Sequence, residues 1–247
     1  MLAVDVSNSM LAQDFEPSRL ERTKFAIDRL TQQLEQDRIG LIVFAGDAYM
    51  QLPITSDYVA ARSFAAQISP TMVSKQGTAI GAAIDLAASS FSSGSEGSRV
   101  IVVISDGENH EDDALAAAKA AAEKGIRIYT IGIGTPEGAP ISIDGEFIKD
   151  EQGDMVVSKL DEQMLEQIAL TTGGAYIRAT NRSLGLDEIV QKINEVEKKE
   201  LTSTVFEDFN EQYQYLIGLA LALLLLEFAM LERRSRLLAR FNIFRKR

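Results

Sequence analysis

The chain has 247 residues, a formal net charge of −11 and no cysteine. This length allows one domain of about 200 residues with its own core, plus a short appendage. The lack of cysteine excludes disulfides, thiolate catalysis and zinc–sulfur sites. Residues 215–247 hold seven Lys and Arg against two Glu, so the first 214 residues carry −16. An acidic body of this kind repels phosphate backbones, which argues against nucleic acid as a partner.

Strand and helix patterns alternate along the chain from its first residues. The run Leu2–Val4 predicts a short strand, Gly46-Asp47 a tight turn into an antiparallel edge strand, and Ile141–Val157 one or two inserted hairpins. The other expected strands are Ile39–Ala45, Ala48–Ile54, Arg99–Ser105, Ile126–Gly132 and Ala175–Ala179, and the expected helices are Arg19–Glu35, Tyr58–Gln67, Thr78–Ser90, Asp113–Lys124, Asp161–Thr171 and Leu186–Lys199. This alternation predicts an α/β fold with a Rossmann-like, doubly wound, mainly parallel sheet and one antiparallel edge strand.

Oxygen-bearing side chains stand at the ends of several of these predicted elements. Asp5-Val6-Ser7-Asn8-Ser9 follows the first strand, Thr78 opens a helix, and Asp106 follows the strongest strand. In doubly wound sheets ligands bind outside the carboxyl ends of the strands, so we expect the two carboxylates to converge. Carboxylate and hydroxyl oxygens suit a hard cation such as Mg²⁺, with Mn²⁺ and Ca²⁺ as alternatives. The predicted metal ligands are Asp5, Ser7, Ser9, Thr78 and Asp106.

The three hydroxyl residues also suit purely structural roles. Ser7 and Ser9 are typical of turns or helix caps, and Thr78 is typical of the N-cap of the following helix. The competing function is a Mg²⁺-dependent phosphohydrolase with Asp5 as the nucleophile. Haloacid-dehalogenase-like enzymes need a second Asp two residues further on as general acid, and Ser7 occupies that position. We therefore expect no enzyme activity, and we interpret the single histidine, His110, as an exposed loop residue near the site.

The five predicted ligands, in this order, resemble the metal-ion-dependent adhesion site of the von Willebrand factor A domain, which uses Asp-x-Ser-x-Ser, a distant Thr and a distant Asp. The resemblance extends from Leu2 to about Val196. Further similarities to the membrane-anchored bacterial aerotolerance (Bat) group are Ser9-Met10, Arg19-Leu20-Glu21-Arg22 and Gly173-Gly174-Ala175-Tyr176. The resemblance implies a protein-binding module in a bacterial envelope complex, with sister Bat proteins and a MoxR-type AAA+ ATPase as partners.

The site chemistry itself indicates what the partner supplies. Three neutral hydroxyls and two carboxylates leave the cation electron-poor, particularly where the carboxylates act through water. A cation with one open position attracts a further oxygen ligand of negative charge. We therefore expect an Asp or Glu side chain of a partner protein to complete the coordination.

The segment Tyr215–Leu231 is the candidate membrane anchor. Its 17 residues include one charge, Glu227, near the far end. As a helix rising about 1.5 Å per residue, it comes close to the lower limit for crossing a bilayer, and a buried core helix is the alternative. The basic residues after it predict a cytoplasmic tail, which places the acidic body outside the cytoplasm at the bacterial inner membrane. Glu227 then lies close to the interface and is expected to reach water or pair with a flanking Arg.

The predicted organisation is a metal-binding domain at 1–200, a linker at 201–214, a transmembrane helix at 215–231 and a basic tail at 232–247. Strand one begins at the first methionine, with no signal peptide or upstream helix before it. We therefore expect the natural chain to extend further upstream.

Overall fold

The computed structural model describes residues 1–34, 37–92, 98–109, 111–143, 145–150, 152–195 and 213–232. The chain divides into two compact units, Met1–Glu195 and Val196–Arg247. His110, most of the predicted linker 201–214 and the predicted basic tail after residue 232 lie outside the described residues.

The first unit is built on a six-stranded sheet. The described strands of the chain are β1 (Leu2–Asp5), β2 (Ile39–Phe44), β3 (Ala48–Thr55), β4 (Val100–Ser105), β5 (Arg127–Gly132), β6 (Ala139–Pro140), β7 (Ser142–Ile143), β8 (Glu146–Phe147), β9 (Val157–Ser158) and β10 (Tyr176–Arg178). The sheet has the order β10-β5-β4-β1-β2-β3. All of its pairs are parallel except β2 with β3, which is antiparallel and leaves β3 at the edge. The predicted mainly parallel sheet with one antiparallel edge strand is confirmed.

Helices cover both faces of this sheet. They are α1 (Arg19–Gln33), α2 (Tyr58–Ala66), α3 (Ile80–Ser89), α4 (Ala114–Glu123), α5 (Glu162–Thr171) and α6 (residues 186–195). Four of them begin after a residue whose side chain accepts a hydrogen bond from a first-turn N–H group, as N-cap residues do. These caps are Ser18, Asp57, Asp113 and Asp161.

The alternation of side chains along β1 divides the core into two halves. Leu2 and Val4 belong to one apolar cluster, which includes buried residues of α1, α2 and α6. Ala3 belongs to the other, which includes buried residues of α3, α4 and α5. Successive residues of a strand point to opposite faces, so a strand covered on both sides is apolar throughout. This packing explains why β2 and β4 read as continuous apolar runs.

The predicted insertion between β5 and α5 consists of short paired strands. β6 pairs with β9, and β7 pairs with β8, both antiparallel. Ser158 at the end of β9 is buried, whereas its neighbour Val157 is exposed. The insertion therefore turns one side chain of β9 toward the body of the domain.

In the second unit, the helix α7 spans Tyr213–Glu232. Its described side chains, residues 215–227, are all exposed. No helix among the described residues is long and apolar enough to cross a membrane. The described residues thus give no support to the transmembrane helix expected at 215–231, which stays a prediction.

Candidate metal centre

The candidate site lies at the edge of the sheet formed by the carboxyl ends of β1, β2 and β4. β1 lies between β2 and β4, with Asp5 in register with Phe44 and Val4 in register with Ile104. The side chains of Asp5 and Asp106 are fully buried. Two buried carboxylates thus lie at the ends of neighbouring parallel strands, where ligands of such sheets bind.

The loop after β1 folds back around Asp5. Asp5 Oδ1 accepts a hydrogen bond from the Ser7 N–H at 2.9 Å, and Asp5 Oδ2 accepts one from Ser105 Oγ at 2.6 Å. The hydroxyls of Ser7 and Ser9 are 2.8 Å apart and hydrogen-bonded to each other. A short 3-10 helix at Asn8–Leu11 makes this loop compact, and the Ser7 side chain does not cap it. Ser7 therefore stands at the N-cap position of this helix but makes no capping bond with its side chain.

Thr78 is buried and is brought to the same edge by its neighbours. The Ala79 N–H donates to the Ala45 carbonyl at 2.7 Å, at the end of β2. Gln76 Oε1 accepts from the Asn8 N–H at 3.2 Å, which ties this loop to the one after β1. Both bonds hold the segment that contains Thr78 against the strand ends.

Thr78 is not the N-cap of the helix that follows. The helix α3 begins at Ile80 and has Ala79 as its N-cap, without a side-chain capping bond from that residue. Its first N–H groups are instead accepted by Asn109 Oδ1 and by both carboxylate oxygens of Asp112. Because Ala79 occupies the N-cap position, the alternative role of Thr78 as helix N-cap is wrong, and the helix starts two residues later than predicted.

Asp106 is held by a buried arginine that no sequence pattern assigned to the site. Its Oδ2 accepts hydrogen bonds from Arg19 Nη1 and from Ser158 Oγ, both at 3.0 Å. Its Oδ1 accepts the Glu108 N–H at 3.3 Å. In the sequence Arg19 is the first residue of an amphipathic helix, a position usually exposed, so no local signal indicated that it is buried.

The surroundings of Asp5 disfavour its charged form. Burial, together with the nearby charge of Asp106, raises the pKa of Asp5 to about 7, against the opposing effect of the hydrogen bonds from Ser105 and Ser7. A cation placed between two such carboxylates would relieve both the burial of charge and their mutual repulsion.

The donor set fits a hard divalent cation. It comprises two carboxylates and three hydroxyls, all of them oxygen ligands, as Mg²⁺ requires. Among the described residues, no group of three or more His, Cys, Asp or Glu side chains could hold a metal ion. A cation at this edge would therefore depend on the hydroxyls of Ser7, Ser9 and Thr78 as well as on Asp5 and Asp106.

Comparisons with known proteins agree with this fold. The family model of the von Willebrand factor type A domain matches residues 1–192. The chain therefore belongs to the von Willebrand factor type A domain family.

Two similar solved structures also support the predicted resemblance to the Bat group. An aerotolerance-related membrane protein from Bacteroides fragilis is 52% identical with a TM-score of 0.75, covering 79% of this chain and 98% of that one. BatB from Bacteroides thetaiotaomicron is 51% identical with a TM-score of 0.76, covering 80% of this chain and 97% of that one. An uncharacterized protein of Borreliella burgdorferi is 30% identical over 92% of this chain and 67% of its own length. The resemblance to Bat proteins is confirmed.

Proposed function

We propose that this chain is a membrane-anchored protein-interaction module that binds partner proteins through a Mg²⁺ ion held by Asp5, Ser7, Ser9, Thr78 and Asp106. The observation that carries the proposal is the meeting of two fully buried carboxylates, together with the hydrogen-bonded Ser7 and Ser9, at one edge of the sheet. Residues distributed over about a hundred positions reach that edge.

The proposed role of the ion follows from charge. Arg19 pairs with Asp14 as well as with Asp106, so these three side chains and Asp5 together carry a net charge of −2, which balances one divalent cation. The three hydroxyls add no charge. Mg²⁺ prefers six oxygen ligands and commonly keeps waters where the protein does not supply them. An incoming Asp or Glu would displace such a water and gain a charge-paired contact with the ion. Binding would then require both the metal and an acidic side chain of the partner.

The apolar helix α7 supports the proposed membrane anchor. The thirteen described side chains of α7, residues 215–227, are predominantly apolar and exposed. The similar protein from Bacteroides fragilis is described as a membrane protein. We propose that residues 215–231 anchor the chain in a bacterial inner membrane, with the acidic domain outside and the basic tail in the cytoplasm.

The proposed partners follow from the Bat resemblance. They are sister Bat proteins and a MoxR-type AAA+ ATPase that acts from the cytoplasmic side. In this scheme the domain contributes recognition, and energy-dependent work belongs to the ATPase. The module itself would carry out no chemical reaction.

The proposal is tested first by metal uptake. Titration calorimetry on the purified full chain should show Mg²⁺ or Mn²⁺ binding, and Asp5→Asn should abolish it. The matched control is Asp187→Asn, because Asp187 forms a partly exposed ion pair with Arg29. Absence of uptake by the unmodified chain would remove the metal from the proposal.

Partner binding is tested second. Proteins that co-purify with the full chain in Mg²⁺ should be lost in EDTA and with Asp5→Asn, and mass spectrometry would identify them. Equal recovery in Mg²⁺, in EDTA and with Asp5→Asn would show that binding does not pass through the ion.

A further inference from the structure

Arg19 is a buried cation next to the candidate metal site. The guanidinium has no exposed surface, and its Nε and Nη2 each donate to one oxygen of Asp14 at 2.8 Å. Asp14 is fixed in turn by the Thr135 N–H and hydroxyl, at 2.9 and 3.2 Å. Burial alone would raise the pKa of Asp14, but its contacts with Arg19 hold the pKa below the usual value. A buried charge is tolerated only when it is paired and hydrogen-bonded, so this pair fixes the guanidinium in place.

The backbone around Arg19 leaves room for it. A Cβ atom added at Gly134 would lie 3.1 Å from both Cζ and Nη2 of Arg19. The backbone at Gly134 also has a φ of +146°, which side chains rarely adopt. Glycine at this position therefore allows the chain just after β5 to approach the guanidinium closely.

The third guanidinium nitrogen connects this pair to the site. Arg19 Nη1 donates to Asp106 Oδ2 at 3.0 Å and to Ser158 Oγ at 2.7 Å, while Ser158 Oγ donates to the same Oδ2 at 3.0 Å. Asp106 Oδ1 accepts the Glu108 N–H at the longer distance of 3.3 Å. The two oxygens are therefore unequal, since Oδ2 has two close donors and Oδ1 is held weakly.

We infer that Arg19 and Ser158 are positioning residues that bind Asp106 Oδ2 and thereby present Asp106 Oδ1 to the ion or to a water bound to it. The inference rests on the proposed function, because it assigns the residues that orient one of the proposed ligands. Partners of metal ligands of this kind fix the orientation of the ligand and strengthen metal binding without touching the metal. Since Ser158 belongs to β9, the geometry of the site depends on the insertion between β5 and α5.

The first test measures Mg²⁺ affinity of full-chain variants by titration calorimetry. Arg19→Lys keeps the charge but loses the planar fork that spans two carboxylates, so we expect binding weakened about 10- to 100-fold. Ser158→Ala should weaken it toward the lower end of that range. Arg29→Lys is the matched control, because its guanidinium pairs with Asp187 in an exposed position, and it should bind like the unmodified chain. The double variant Arg19→Lys/Ser158→Ala should weaken Mg²⁺ binding by less than the product of the two single-variant factors, because both residues bind the same oxygen of Asp106.

The second test uses Mn²⁺ as a spectroscopic probe. Water-proton relaxation reports how many waters remain on the ion, and this number should change in Arg19→Lys and Ser158→Ala because the orientation of Asp106 changes. A purely structural role would leave the number unchanged. Urea unfolding in EDTA shows which variants fold, and if Arg19→Lys does not, Ser158→Ala decides the question. Folded variants that bind Mg²⁺ and relax water like the unmodified chain would overturn the inference, whereas no uptake by the unmodified chain would overturn the proposed function itself.

Discussion

The two buried carboxylates at the candidate site have different kinds of hydrogen-bond partner. Asp5, at the end of β1, accepts hydrogen bonds from neutral donors, the Ser7 N–H and the Ser105 hydroxyl. Asp106, after the end of β4, is paired with the buried guanidinium of Arg19 at 3.0 Å. Both are fully buried, so the difference arises from their partners and not from their exposure.

We call Asp5 with its hydrogen-bond partners the Asp5 half of the site, and Asp106 with Arg19 the Asp106 half. The two halves should contribute differently to stability and to metal binding. On the Asp106 half, Arg19 compensates part of the charge of Asp106, because Arg19 is shared with Asp14, and removal of the Asp106 carboxylate leaves a buried cation with fewer partners. On the Asp5 half, burial raises the pKa of the carboxyl to about 7, so its charge is incompletely compensated by the protein. The Asp106 half should therefore matter more for folding, and the Asp5 half should carry the proton that a cation displaces.

The largest expected effect on stability is that of Asp106→Asn. Without metal, it should lower the free energy of unfolding by about 3 kcal/mol, because Arg19 remains buried after losing one of its two carboxylate partners. Urea unfolding in EDTA measures this loss. The matched control, Asp187→Asn, breaks a partly exposed ion pair and should cost at most about 1 kcal/mol. Equal losses in the two variants would show that the pair of Arg19 and Asp106 does not stabilise the fold.

The next effect is the pH dependence of Mg²⁺ binding. The ion binds the ionised form of Asp5, whose pKa is raised to about 7. The apparent affinity should therefore fall about tenfold, or about 1.4 kcal/mol, for each pH unit below 7, and level off above it. Titration calorimetry in buffers of different ionisation enthalpy should also detect proton release at pH 6. An affinity that does not change between pH 5.5 and 8 would contradict the raised pKa.

The raised pKa of Asp5 has the opposite consequence for the stability of the metal-free chain, which should fall rather than rise with increasing pH. Between the unfolded pKa near 4 and the folded pKa near 7, the folded chain holds a proton on Asp5 that the unfolded chain releases. The contribution of Asp5 should therefore make the metal-free chain less stable as the pH rises through this window. The difference in slope between the unmodified chain and Asp5→Asn isolates this contribution. Equal slopes would assign the pH dependence to other groups.

The smallest expected effect on metal-free stability is that of Asp5→Asn. The amide keeps an oxygen for the Ser7 N–H and removes a buried charge, so the free energy of unfolding in EDTA should stay unchanged or rise slightly at pH 8. In Mg²⁺ the unmodified chain should instead be more stable than Asp5→Asn, because it gains stability from the bound ion and the variant does not. Unfolding curves with and without excess Mg²⁺ measure both quantities. A loss in EDTA as large as that of Asp106→Asn would remove the contrast between the two halves.

The sequence predicted the elements of the sheet and the residues at their ends. Apolar runs such as 39–45 and 99–105 are local properties, and a strand covered on both faces needs an apolar side chain at nearly every position. The predicted strands 2–4 and 99–105 end directly before Asp5 and Asp106, so the sequence assigns both carboxylates to strand ends without the strand order. The domain family followed from the same residues and is confirmed.

The charge partners of the site depended on the tertiary structure. Arg19 and Asp106 are 87 positions apart, and Ser158 and Asp106 are 52 apart, so no local pattern indicates that they meet. The start of α3 likewise depends on Asn109 and Asp112, which supply caps from a distant loop. Apolar periodicity is determined by neighbours along the chain, whereas the pairing of buried charges is determined by which strand ends and loops pack together in space. The sequence by itself therefore determined the sheet and its two carboxylates, and only the packing of α1 and the insertion against them decided which carboxylate the protein balances.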